Sequence, residues 1–193
     1  MAAPPRAWQR MLSGRRLDLL DPSPLDIEIE DIALGLSRVA RWNGQTSGDH
    51  GFSVAQHSLL VLDLVARAAR RADPLLLRAA LLHDASEFVT ADLITPFKVV
   101  IGDSYKVFEN RVQAAVHLRF GLPAQLSDDW QAAIKRADRR AAFHEAVALA
   151  GFAEEEARRI FNVRQARPTG VLVAWPPEEA RQTFLRRFRD LCP

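Results

Sequence analysis

The stretch that decides the fold runs from Asp73 to Phe88, DPLLLRAALLHDASEF. Asp followed by Pro is a helix start, with the carboxylate capping free N–H groups and the ring preset for the first helical position. The residues that follow are apolar almost all round, so this helix belongs at the centre of the protein. His83 and Asp84 break the pattern. An unpaired carboxylate in apolar surroundings costs several kcal/mol, so a partner or a cation is required there. Glu87, four residues after His83, falls on the same helix face one turn along.

Outward from this helix the chain reads as further helices. Toward the N-terminus, Ser53 with Gln56 has the form of a capping box opening a helix to about Arg71. Its apolar line is Val54, Val61, Leu62 and Val65, with His57 beside it. Ile29, Ile32, Ala33, Leu36 and Ala40 predict an earlier helix from Ile27 to near Asn43-Gly44. RWNGQTSGDHG (41–51) is then a loop long enough to carry function. Residues 1–26, with Pro4, Pro5, Gly14, Pro22 and Pro24, read as an extended arm with a turn at DPSP.

On the C-terminal side, Pro96 makes TADLITPFK (90–98) read as a connection. Helices are expected over roughly Ser104–Phe120 and again after Ser127. The second carries Trp130, Ile134, Ala137, Ala141 and Val147 inward, places Asp138 at the border of that face, and is interrupted at Gly151. VLVAW (171–175) reads as a short β-like run, and Pro176-Pro177 open a last amphipathic helix with Phe184, Leu185 and Phe188. With neither βαβ alternation nor an internal repeat, the expected fold class is all-α.

The chain has 193 residues, the length of one ordinary domain. A hydrophobic share of 48% against 26% charged residues excludes disorder and a coiled-coil rod. Net charge is +2, and although 23 of the 26 basic residues are arginine, with eight between Arg158 and Arg189, a solvated surface explains that bias as well as a phosphate stripe does. Nucleic acid is therefore not an expected partner. Neither a run of about 20 apolar residues nor a secretion signal is visible, so no membrane association is expected. The one cysteine, Cys192, excludes a disulfide framework and a cysteine zinc cluster. A cytoplasmic protein is expected, with any metal held by His and carboxylates.

His57, His83-Asp84 and Asp138 are thus three polar interruptions on three apolar elements. Each alone is more often a hydrogen-bonded core residue than a ligand, and an ion pair with a neighbouring Arg would account for Asp138. Their order, H…HD…D, resembles the HD-domain metal-dependent phosphohydrolases. VAQHS (54–58), LLHDASE (81–87), TADLITPFK (90–98) and KRAD (135–138), preceded by RWN (41–43), are similar to the YfbR-like 5′-deoxynucleotidase branch over about residues 27–145.

The resemblance implies a single HD-domain helical bundle of about six to eight helices over residues 1–193, with an arm at 1–26, a core at about 27–150 and a C-terminal extension at 151–193. It implies that His57, His83, Asp84 and Asp138 bind one divalent metal, a mixed nitrogen and oxygen set that suits Mn²⁺, Co²⁺, Zn²⁺ or Fe²⁺. Glu87 and Asp92 share proton transfer and the positioning of water or substrate, in an order left open. Arg41 contacts phosphate, Trp42 closes over the nucleoside and Lys98 is a second cation. His50, His117 and His144 match no ligand position, so one metal is expected. Gln56 stands where relatives often have Glu. The implied activity is metal-dependent removal of phosphate from (deoxy)nucleoside 5′-monophosphates, in a homodimer or higher homo-oligomer. Release of triphosphate from deoxynucleoside triphosphates, and a non-catalytic metal- or nucleotide-binding module, stay open as alternatives.

Overall fold

The structure, a computed structural model, describes residues 6–68, 73–163 and 171–192. The N-terminal arm folds back on itself. Strand β1 (Trp8–Arg10) pairs antiparallel with β2 (Arg16–Asp18), and the tip is pinned where Ser13 N donates to Asp31 Oδ1 at 3.0 Å. Met11 and Leu17 are buried, so the hairpin contributes to the core rather than trailing as the expected extended arm. The DPSP segment forms a single 3₁₀ turn, Pro24–Asp26, capped by Ser23.

Helix α1 (Ile29–Arg38) ends earlier than its apolar spacing predicts. Val39 turns extended and accepts from Val54 N at 3.0 Å, while Arg41 N donates to Phe52 O at 2.8 Å. Ala40 and Ser53 therefore form an antiparallel bridge, and the backbone pairing that closes the 41–51 loop replaces the last turn of the expected helix. Helix α2 (Val54–Ala68) follows; residues 69–72, where its expected end lies, fall outside the described residues. Ser53 Oγ accepts from Gln56 N at 3.2 Å, as the capping box requires. The Gln56 amide does not reach back. It accepts from Trp175 N and donates to Val173 O, both at 3.0 Å, and so holds the 171–175 segment, which is no strand, as a strand edge would.

Helix α3 (Pro74–Leu81) begins as expected, with the Asp73 carboxylate accepting from Leu75 N at 2.8 Å. It stops sooner than its composition suggests. Residues 82–86 are turns, so His83 and Asp84 sit on a break between α3 and the one-turn helix α4 (Glu87–Thr90), not in the middle of a continuous helix. Pro96 starts α5 (Thr95–Ile101) instead of breaking it, because the first helical position needs no N–H donor. Helices α6 (Asp103–Arg119) and α7 (Asp128–Ala148) lie where expected, the latter capped by Ser127. An unanticipated α8 (Glu154–Phe161) precedes the final α9 (Pro177–Leu191). The described residues thus hold nine α-helices, and none is long and apolar enough to cross a membrane. Arg164 and Arg167 of the arginine-rich tail lie outside the described residues.

Helix α2 is the axis of the bundle, packed by α1, α3, α7 and α9 and buried along most of its length. Each fully buried Val or Leu there contributes about 1.5–3 kcal/mol. Helix α1 meets α4 at Gly35, where a Cβ would come within 2.8 Å of Phe88 Cβ and 3.0 Å of its carbonyl oxygen. Gly35→Ala gains helix propensity of about 1 kcal/mol but overpacks this contact at a cost of about 1–3 kcal/mol. A lower urea midpoint than wild type, with turnover reduced because Phe88 adjoins Glu87, is expected; an unchanged midpoint and rate would show that the contact does not position α4.

Candidate active site

Three separate segments bring the four HD side chains together. His57 comes from α2, His83 and Asp84 from the 82–86 turn, and Asp138 from α7. His57 Nε2 lies 3.2 Å from Asp138 Oδ1 and 3.5 Å from Asp84 Oδ2, and His83 Nε2 lies 3.2 Å from the same Asp84 oxygen. Ligand atoms of His57, His83 and Asp138 all lie within 4.8 Å of one another. Atoms held about 2.0–2.2 Å from one ion necessarily fall within such a span.

The tautomers are set from behind. His57 Nδ1 is 2.5 Å from Glu145 Oε1 and His83 Nδ1 is 2.9 Å from Ala80 O, so each Nδ1 carries the proton it donates and, in the neutral ring, Nε2 is left with the lone pair. Both Nε2 atoms are buried without a hydrogen-bond partner. Two orphaned imidazole nitrogens facing two carboxylates fit a divalent cation, and a mixed nitrogen and oxygen set suits a first-row transition ion.

Without that cation the charges adjust among themselves. Burial and Arg41 disfavour a charged His57, but Glu145 and Asp138 outweigh them and lift its pKa to about 10. Burial alone would raise the Asp84 and Asp138 carboxyls; the imidazoles of His57 and His83 pull both below the usual carboxylate range. Burial also opposes ionisation of Glu145, yet His57 and Arg41 hold its pKa at about 2.

Glu145 is the functional residue that the sequence reading missed. It is fully buried and accepts from His57, from Trp42 Nε1 at 3.0 Å and from Arg41 Nε at 3.3 Å. It lies seven residues after Asp138, two turns along one helix face, and that spacing inside AAFHEAVALA was the available signal. Gln113 was missed too. Its amide donates to Leu82 O at 2.7 Å and accepts from Ser86 N at 3.0 Å, clasping both ends of the turn that presents His83 and Asp84.

Glu87 opens α4 and is buried, with Oε2 unpartnered and Oε1 4.0 Å from Lys98 Nζ. Burial, reinforced by Asp84 and Asp92, pushes its pKa up to about 10, so it carries a proton at neutral pH. Asp92 does not cap α5; its Oδ2 accepts from Arg41 Nη1 at 3.1 Å. It follows Ala91, whose φ of 61° and ψ of 164° occupy a region essentially reserved for glycine. Trp42 and Asn43, at φ of 59° and 51°, also hold the left-handed region, and of the RWN side chains Arg41 and Trp42 line the cavity while Asn43 is exposed.

These groups surround a cavity of about 520 Å³. Asp84, Glu87, Asp92 and Asp138 form its polar floor; Trp42, Phe152 and Phe161 form an aromatic wall, with ring centroids 5.7 and 6.0 Å from Trp42; and Lys98 and Arg139 add cations. His50 is exposed, His117 bonds Gln113 and Ala124 O, and His144 is buried beside Phe143, so none of the three joins the centre.

A helical bundle that gathers His, His-Asp and Asp from separate segments beside such a cavity defines an HD-domain phosphohydrolase. The chain belongs to the YfbR-like 5′-deoxynucleotidase family, whose model matches residues 34–152. An uncharacterized protein of Rhodobacter capsulatus is 57% identical over 192 residues, 96% of both chains. YfdR of Escherichia coli is 37% identical over 102 residues, 53% of this chain and 52% of that protein. Among solved structures, the cyanophage S-2L HD phosphohydrolase DatZ, bound to dA and one catalytic Zn²⁺, shares the fold with a TM-score of 0.52 at 20% identity, over 82% of this chain and 95% of that one.

The raised Glu87 pKa has a consequence for stability. A carboxyl raised on folding from an ordinary 4.5 to about 10 gives stability that is full below 4.5 and is lost as pH rises toward the folded value. Glu87→Gln keeps the neutral shape and removes that loss. In chelator-treated protein, its stability advantage over wild type in urea titrations should grow by at least about 1 kcal/mol from pH 5 to pH 8. Parallel pH dependence in the two proteins would show that Glu87 is ionised in the fold.

Proposed function

We propose that the protein hydrolyses (deoxy)nucleoside 5′-monophosphates to nucleoside and orthophosphate. The observation that carries this reading is the pair of unpartnered imidazole nitrogens facing two carboxylates on the floor of an aromatic-walled cavity. His57, His83, Asp84 and Asp138 would hold one divalent metal. When bound, such an ion lowers the pKa of water and draws charge from a phosphoryl oxygen.

The chain's own groups supply the rest. The nucleoside lies against Trp42, Phe152 and Phe161, which keep bulk water from the phosphate ester. Lys98 and Arg41 face the phosphate dianion; Arg41 already commits Nε to Glu145 and Nη1 to Asp92, so the free cationic capacity suits one phosphate rather than three. Hydrolysis forms a bond from water oxygen to phosphorus and breaks the bond to O5′. Glu87, buried and lining the cavity with Oε2 unpartnered, is the group that gives a proton to the departing O5′ and regains one from the attacking water. The Arg41–Asp92 pair holds the phosphate in line. A non-catalytic binding module has no use for a buried carboxyl with an unpartnered oxygen beside the metal ligands.

The test is to strip the protein with chelator, restore Mn²⁺, Co²⁺, Zn²⁺ or Fe²⁺ singly, and screen nucleoside mono- and triphosphates for orthophosphate and tripolyphosphate. Orthophosphate from 5′-monophosphates, dependent on added metal, is expected. Asp84→Ala and Asp138→Ala should abolish turnover, and Glu87→Gln should keep the metal while kcat falls by at least about 100-fold. Full turnover in Asp84→Ala would refute the proposal, and tripolyphosphate as the main product would replace it with triphosphate hydrolysis.

A further inference from the structure

The centre has a second opening that the reaction described above leaves unused. A groove of about 970 Å³ runs between α6 and α7 and reaches His83 and Asp138. It shares Lys98 and Asp138 with the aromatic cavity but none of the aromatic wall. Its lining is about half polar, with the Gln125 amide, the Glu109 carboxylate and the ammonium of Lys135 one turn before Asp138, while the Gln113 and Gln131 amides already donate to Leu82 O and Leu126 O. Lys98 is paired with Glu109 at 3.3 Å, whereas Lys135 has no ion-pair partner among the described residues.

We infer that this groove is the phosphate port of the enzyme, a site for orthophosphate separate from the nucleoside cavity; the inference rests on the phosphohydrolase reading. In-line displacement sends the two products in opposite directions from phosphorus. The nucleoside departs into the aromatic cavity and blocks it, which leaves orthophosphate at the metal ligands with the α6–α7 groove as its way out. The Gln125 amide and the unpaired ammonium of Lys135 suit a hydrated phosphate, and a lining without Trp, Phe or Tyr makes the groove a poor seat for a base. Both products can then be bound at once, and neither has to wait for the other.

Equilibrium dialysis of labelled orthophosphate against the Mn²⁺-saturated protein tests this without turnover, so it stands apart from whether any nucleotide is hydrolysed. Lys135→Glu should weaken orthophosphate binding by at least about tenfold and leave deoxyadenosine binding within about twofold. Arg136→Glu, the same charge change on the next residue of α7 but outside both linings, should leave orthophosphate binding within about twofold. Phe161→Ala should weaken deoxyadenosine and spare orthophosphate. Tripolyphosphate dialysed in parallel separates a port for the single phosphate from a track for a longer chain. Orthophosphate binding indifferent to Lys135→Glu, equal weakening by Arg136→Glu, competition between orthophosphate and deoxyadenosine, or Lys135-dependent binding of tripolyphosphate alone would each overturn the assignment.

Discussion

The structure depends on two protons held on the wrong side of two imidazoles. Glu145 accepts from His57 Nδ1 and the Ala80 carbonyl accepts from His83 Nδ1, so in the neutral imidazoles the lone pairs fall on the two Nε2 atoms, both buried without a hydrogen-bond partner. Asp84 and Asp138 stand opposite them. Counting Asp92 and Glu145 as well, four carboxylates face Arg41 and a Lys98 already shared with Glu109. Burial and that imbalance together raise the Glu87 carboxyl, the imbalance against burial raises the His57 imidazole, and a dication would relieve the excess of negative charge.

The fold spends stability to keep this arrangement. Helix α3 ends early so that adjacent residues 83 and 84 converge on one centre, which neighbours about 100° apart on a continuous helix do poorly. Gln113 then closes the broken turn by satisfying Leu82 O and Ser86 N, groups an uninterrupted helix would have paired internally. Ala91, Trp42 and Asn43 hold positive φ beside Asp92 and Arg41, and the antiparallel closure of the 41–51 loop supports two of them. Positive φ at Ala91, Trp42 and Asn43 and unpartnered atoms of His57, His83 and Glu87 meet at one centre, as expected where function rather than folding chose the local geometry.

Much of this was legible from residue patterns, and what escaped has physical reasons. Ser53, Asp73 and Ser127 announced their helices because capping is local chemistry. His57, His83, Asp84 and Asp138 stood out because charge on an apolar face demands a partner. Pro96 misled because the same ring that breaks a helix interior also begins one. The β-like VLVAW run and the Gln56 capping box were misread for one reason, since the Gln56 amide satisfies that tail instead of its own helix. Glu145 and Gln113 act on groups dozens of residues away, and a single-residue reading of an amphipathic helix assigns such positions to solvent or to the core.

Metal placement tests the central claim most directly. Crystals of the full chain grown with Mn²⁺ and without chelator, measured near the manganese absorption edge, should give one anomalous peak per chain, touching His57 Nε2, His83 Nε2 and the carboxylates of Asp84 and Asp138. A peak elsewhere, or none there while the two imidazoles turn toward protein acceptors, would contradict it.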